Sequence, residues 1–174
     1  MESTLQDLKE RRSIRSFTNE QIKEEDLAKI LEAATYAPSG SNKQTAKIVV
    51  VQNQAEIAYL SKLNASYSKN PGGDPFYGAP TVIVVLGDGT KANYVKDASL
   101  VLGNMMNAAH ALGVGSCWIN RADNVFASDE GKALLKKWGI DAKYEGVGHC
   151  ILGYPKGDIP KAKPRKEDYI TYIR

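Results

Sequence analysis

Residues Asp97 to Ile119 read D-A-S-L-V-L-G-N-M-M-N-A-A-H-A-L-G-V-G-S-C-W-I. Ala98, Val101, Leu102, Met105, Ala109 and Leu112 recur at the spacing that places side chains on one face of a helix. Gly113 follows and supplies a helix stop. Just beyond it, Ser116 to Ile119 is a short, almost continuously apolar run, the mark of a strand covered on both faces. A long amphipathic helix that ends at a glycine and feeds a covered strand predicts helices layered on a sheet.

The rest of the chain fits that arrangement. Leu27, Ile30, Leu31 and Ala34 predict a helix over 23–36 that ends before Pro38. Ile57 and Leu60 suggest another over 54–66, and Ser128 can cap a shorter one through Trp138, with Gly139 beyond it. Ile48 to Val51, Thr81 to Val85 and Val147 to Leu152 read as further covered strands. The expected fold is an α+β or α/β sandwich with helices flanking a central sheet.

At 174 residues the chain is one domain's worth, residues 1–174, with no repeat or linker to divide it. The 43% hydrophobic and 25% charged fractions exclude a disordered chain, a collagen and a coiled coil. The longest apolar runs, such as Thr81 to Leu86, fall far short of the ~20 residues that span a bilayer, so no membrane partner is expected. The N-terminus M-E-S-T-L-Q-D-L-K-E-R-R lacks the basic and apolar regions of a signal peptide, and two cysteines argue for reduced thiols. The expected location is the cytoplasm.

Lys+Arg 23 against Asp+Glu 20 leaves +3, too little for a strong nucleic-acid field. The charge is unevenly spread. Residues 9–15 carry +3, residues 156–174 another +3, and the remainder −3. Such clusters can be solvated surfaces, or folding can bring both to one compact anion such as a phosphate. The segment Asn70 to Pro80, with three prolines and three glycines, is expected to be the most mobile loop. The arm 153–174 is stiffened by Pro155, Pro160 and Pro164 and ends in an alternating Y-I-T-Y-I that looks like a strand. Such a strand has little core of its own to join, which points to a neighbouring chain's sheet edge.

Several motifs compete for the chemistry. Gly87, Gly89 and Ala92 match a G-x-G-x-x-A dinucleotide pattern, but the following sequence lacks the acidic residue that pattern needs, so the match reads as a turn. His149 and Cys150 are adjacent in a predicted strand and would face opposite ways, which argues against a zinc site; both cysteines read as buried small hydrophobes. His110 reads as an ordinary helix residue. The strongest constellation is R-R-S-I-R-S-F at Arg11 to Phe17 followed by A-P-S-G-S-N-K-Q at Ala37 to Gln44. The first is a convergent donor set suited to a phosphate monoester. Asn42 and Gln44 of the second carry donors and acceptors suited to the edge of a planar, imide-like heterocycle, although a helix-ending turn accounts for that segment equally well.

At these residues the sequence resembles the FMN-dependent nitroreductase family, over nearly the whole chain. The two motifs above, the stretch quoted at the outset, and a terminal G-Y-P followed by K-P-R-K occur in the family's order. The resemblance implies an α+β three-layer sandwich around a mostly antiparallel central sheet, with the C-terminal arm and strand exchanged with a dimer partner. It implies a flavin phosphate held by Arg11, Arg12, Ser13 and Arg15 with Lys163 and Arg165. It further implies that Pro38, Ser39, Gly40, Asn42 and Gln44 approach the flavin from the partner subunit while Gly115 and Ser116 line the isoalloxazine from the other side, so that only a homodimer completes the site. The implied chemistry is ping-pong hydride transfer from NAD(P)H, a transient co-substrate, to a nitroaromatic, quinone or similar small-molecule acceptor. FMN would carry the reaction, with no catalytic side chain and no metal. A specialised flavin enzyme of dehalogenase, flavin-fragmenting or dehydrogenase type, or a non-catalytic FMN-binding module, are the alternatives. Many similar proteins continue the second motif with Pro-Trp, where this chain has Thr45 and Ala46.

Overall fold

The structure is a computed structural model that describes residues 2–174. Its elements run α1 (Glu2–Glu10), α2 (Glu24–Thr35), β1 (Ala46–Val51), α3 (Gln54–Ser66), β2 (Thr81–Asp88), α4 (Tyr94–Ala111), β3 (Gly115–Ile119), α5 (Ala122–Ala127), α6 (Asp129–Lys137) and β4 (Tyr144–Gly153). The four strands pair in the order β1-β2-β4-β3, every pair antiparallel. The architecture is the expected α+β sandwich.

Alternation along the strands divides the core in two. Val82, Val84 and Leu86 of β2 join Ile57 and Leu60 of α3, Val125 and Phe126 of α5, and Leu134 and Leu135 of α6 on one face. Ile83 and Val85 join Leu27, Ile30 and Ala34 of α2 and Ala98, Leu102 and Met105 of α4 on the other. All eight residues of β2 are buried, so its side chains serve both cores. Truncating one of them, as in Leu86→Ala, removes about 2 to 5 kcal/mol by lost burial and cavity formation.

Local signals end the helices as read from sequence. Ser128 Oγ accepts from the Gly131 N–H at the start of α6, and Gly139 and Gly113 follow α6 and α4 with φ of +67° and +72°. Asn53, which the sequence reading did not single out, caps α3 by accepting from the Glu56 N–H. The glycine-rich turn after β2 is a turn: the Lys91 N–H donates to the Asp88 carbonyl, and α4 begins only at Tyr94.

Two segments do not take, within the chain, the form their composition suggests. The terminal Y-I-T-Y-I forms no strand within the chain; only a short 3-10 turn, Glu167–Tyr169, occurs there, and Ile173 is 92% exposed. A strand needs an edge to bond to, and the arm lies along none of its own. The 70–80 loop is anchored rather than loose. Asp74 accepts from Ser61 Oγ at 2.6 Å and from the Phe76 and Gly78 N–H groups at 2.9 and 2.7 Å, while Phe76 is fully buried against the His149 ring.

Candidate functional site

The segment after α1 is held to the sheet by backbone and by two apolar pegs. Ser13 bridges Ser116 of β3, the Ile14 N–H donates to the Ser116 carbonyl at 2.9 Å, and Phe17 bridges Pro155. Ile14 and Phe17 are buried in the core, leaving Arg15 exposed and Arg11, Arg12 and Ser13 half-buried at the surface. Gly115 permits the close approach: a Cβ there would sit 3.1 Å from both the Ile14 Cβ and the Gly153 carbonyl oxygen.

The C-terminal arm comes back to the same place. Leu8, Lys9, Arg11, Arg12, Ser13 and Arg15 share with Lys161, Lys163 and Arg165 a cleft of about 860 Å³, to which no acidic side chain contributes. The two basic clusters of the sequence therefore form one. Arg12 donates to the Lys9 and Arg11 carbonyls and Arg165 to that of Lys163, but among the described residues none of the cleft's cations meets a carboxylate. Arg11 Nη1 and Arg12 Nε are buried with no hydrogen-bond partner. Leaving such groups unsatisfied costs about 1 to 3 kcal/mol each, more when charged. An anion with several acceptor oxygens removes that cost, so the donor set fits a phosphate.

The second motif is built differently. Ser39, Gly40, Asn42 and Gln44 lie in a tight loop between α2 and β1, with Ser41, Asn42 and Gln44 at φ of 52°, 53° and 48°. The Gln44 N–H donates to Ser39 Oγ at 2.9 Å and Gln44 Nε2 to Asn42 Oδ1 at 3.2 Å. Pro38, Asn42 and Gln44 are exposed. A small cavity of about 140 Å³ lies behind the loop, lined by Thr35, Ala37, Ala46, Ile48, Val101 and the inner side of Pro38, Ser39 and Gln44. Thr45 is buried, and its hydroxyl donates to Asp97 Oδ2 at 2.8 Å.

Of the sequence-selected residues, the chain thus unites Arg11, Arg12, Ser13, Arg15, Lys163 and Arg165. Gly115 and Ser116 lie directly beneath them, bridged to Ser13, but Ser116 is only 2% exposed, so in the single chain β3 offers its carbonyl to the segment above rather than a side chain to solvent. Pro38, Ser39, Gly40, Asn42 and Gln44 are gathered with one another but line no cavity with the arginines. Sequence reading missed Asp97. Its signal was present: it occupies the same helical stripe as Val101 and Met105, where an acid has no business unless partnered.

The histidine and cysteines stand apart from both regions. His149 lies among Phe76, Phe126 and Asn64, and burial lowers its pKa to about 4. Cys117 and Cys150 are free and buried in opposite cores, and burial pushes the Cys150 thiol up.

Residues 8–154 match the sequence profile of the Nitroreductase family. The chain belongs to the nitroreductase family. A protein of Archaeoglobus fulgidus, provisionally named NADH dehydrogenase/NAD(P)H nitroreductase, is 34% identical over 91% of this chain and 88% of its own length. The FMN reductase [NAD(P)H] of Bacillus subtilis is 28% identical, covering 95% of this chain and 70% of that protein. The crystal structure of a nitroreductase with bound FMN from Bacteroides fragilis superposes with a TM-score of 0.90 at 30% identity, covering 98% of each chain. This nitroreductase-family chain therefore shares its whole fold, arm included, with an FMN-bound protein. No helix among its described residues is long and apolar enough to cross a membrane.

Proposed function

We propose that this protein is an FMN-dependent NAD(P)H oxidoreductase that acts as a homodimer on small-molecule acceptors such as nitroaromatics or quinones. The observation that carries the reading is the cationic cleft with two unpartnered buried guanidinium nitrogens, Arg11 Nη1 and Arg12 Nε, at the place where the sequence motif calls for a phosphate. Relatives named for FMN and NAD(P)H, and a neighbour of the same fold with bound FMN, support it.

In this reading Arg11, Arg12, Ser13 and Arg15 hold the phosphate from one side while Lys163 and Arg165 close over it from the arm. When bound, the flavin would supply the hydride-transfer chemistry between NAD(P)H and the acceptor, in two half-reactions. The chain's own residues bind and orient. Asn42 and Gln44 offer amide donors and acceptors to the flavin of the other subunit, and their exposure in the single chain is what such a role requires. One domain and one site serve both half-reactions, with donor and acceptor alternating. Two buried free thiols suit a reducing compartment such as the cytoplasm.

Two unsatisfied features support the dimer. Among the described residues the outer edge of β1 bonds to nothing, since β1 ends the sheet, whereas β3 at the other end is covered by the Ser13 bridge. The exposed tail Ile170 to Ile173 is a strand without an edge. A partner's tail paired to β1 satisfies both. Deleting residues 167–174 is expected to yield monomer by sedimentation and to weaken FMN binding; a truncated protein that stays a tight, flavin-loaded dimer refutes the exchange.

Absorbance of the purified protein tests the function. Yellow protein that bleaches anaerobically with NADH or NADPH and recovers on adding a quinone or nitroaromatic bears the proposal out. Yellow protein that never bleaches leaves a non-catalytic flavin module, and protein that stays colourless with added FMN removes the basis of the reading.

A further inference from the structure

One carboxylate holds two points, Gly40 and Thr45, of the loop that carries Ser39, Asn42 and Gln44. Asp97, in the first turn of α4 and 5% exposed, accepts from the Gly40 N–H through Oδ1 at 3.0 Å and from the Thr45 hydroxyl through Oδ2 at 2.8 Å. The Thr45 carbonyl is in turn bonded by the Asp88 N–H at the end of β2, at 2.9 Å, so the far end of the loop is fixed to the sheet. Between these points the chain passes through three left-handed residues, Ser41, Asn42 and Gln44. Left-handed φ costs a non-glycine residue roughly 1 kcal/mol or more, and three in four positions do not persist unless the surroundings impose them.

Asp97 has no cationic partner among the described residues. A buried carboxylate without a counter-charge is expensive unless hydrogen bonds and a helix N-terminus compensate it, and here the Gly40 and Thr45 donors and the first turn of α4 do so. The carboxylate's particular contribution is to fix two donors at one distance, and so to fix the curvature of everything between them.

We propose that Asp97 is the positioning residue for the flavin-facing loop, with Thr45 as its second contact, so that α4 sets the pose in which Ser39, Asn42 and Gln44 are offered to a flavin. This rests on the FMN reading above for its ligand, though not for its geometry. Asp97 itself touches no reacting atom. It gives Thr45 a specific role at the position where the sequence departs from the common Pro-Trp.

The test uses the full-length protein and three variants. Thr45→Val keeps the shape of Thr45 and removes only the hydroxyl; Thr45→Ser restores it; Asp97→Asn keeps an acceptor for the Gly40 N–H. FMN titration should show affinity falling about tenfold in Thr45→Val, the scale of one lost hydrogen bond to a charged group, and returning near wild type in Thr45→Ser. Asp97→Asn should fall between them. Amide exchange at Gly40 and Gln44 in flavin-free protein should speed up in Thr45→Val and not in Thr45→Ser, while exchange in β2 changes little. FMN affinity and loop exchange in Thr45→Val and Asp97→Asn equal to wild type overturn the proposal. If the wild-type protein binds no FMN, the functional reading fails and the ligand half of this inference with it; the exchange data then decide the loop on their own.

Discussion

The cationic cleft and the 38–45 loop are two ways to prepare a binding surface. In the cleft, charge is concentrated and left unsatisfied: Arg11 Nη1 and Arg12 Nε have no partner and no acid lines the walls. In the loop, polar groups are satisfied internally, from Gln44 N–H on Ser39 Oγ to Gly40 N–H on Asp97. The first region lacks something that a ligand supplies; the second is already in its final shape. Affinity should reside in the cleft, and orientation in the loop.

Acid stability separates fold from ligand and gives the largest expected effect. His149 lies far from this comparison, in the core behind Phe76, and its pKa is lowered from 6.5 to about 4 by burial. Because the folded state resists the proton that the unfolded chain accepts, stability is fully present above pH 6.5 and is lost as pH falls from there toward 4. The full loss is about 3 kcal/mol, each tenfold weakening of proton affinity being worth about 1.4 kcal/mol. Urea unfolding of flavin-free protein at pH 7.5 and 4.5 should show most of it, and His149→Phe should flatten that pH dependence. Equal midpoints at the two pH values for the wild type contradict the buried, neutral histidine.

Next in size, Arg11→Ala should weaken FMN binding by about 2 kcal/mol, the order of a charge-assisted bond in a partly desolvated site. Fluorescence titration checks it, and an unchanged dissociation constant removes Arg11 from the phosphate site. The smallest effect belongs to the rim. Lys9 and Lys161 line the cleft and are exposed, so their alanine variants should shift affinity only about two- to threefold and in a salt-dependent way. A rim change larger than that of Arg11→Ala inverts the picture and places the phosphate farther out.

Much of this was legible in the sequence because local signals and tertiary structure agree. Ala98 to Met105 and Leu27 to Ala34 do face the core, Gly113 and Gly139 do end helices, and the two basic clusters do meet. What was hidden depends on partners distant in the chain. The antiparallel order β1-β2-β4-β3 is set by long-range pairing that strand patterns do not encode. The 70–80 loop has the composition of a mobile segment, but Asp74 and Phe76 tie it down with three hydrogen bonds and a buried ring. Asp97 stands in the apolar stripe of α4, a visible anomaly, but its partners Gly40 and Thr45 lie more than fifty residues away and only the fold sets them against it. The Y-I-T-Y-I pattern is that of a strand, yet a strand is a relation between two segments, and within this chain the tail pairs with none.

The open edge of β1 has a consequence for the life of the molecule in a crowded solution. Its run Ile48-Val49-Val50-Val51 is β-branched throughout, with Lys47 as its one charge, a composition that recruits other strands when left uncovered. In the proposed dimer, a tail that covers that edge would also withhold it from strangers, so the arm would act as a guard against fibrillar stacking. Chains clipped near Arg165 should therefore precipitate sooner than intact ones even when they keep the same melting temperature.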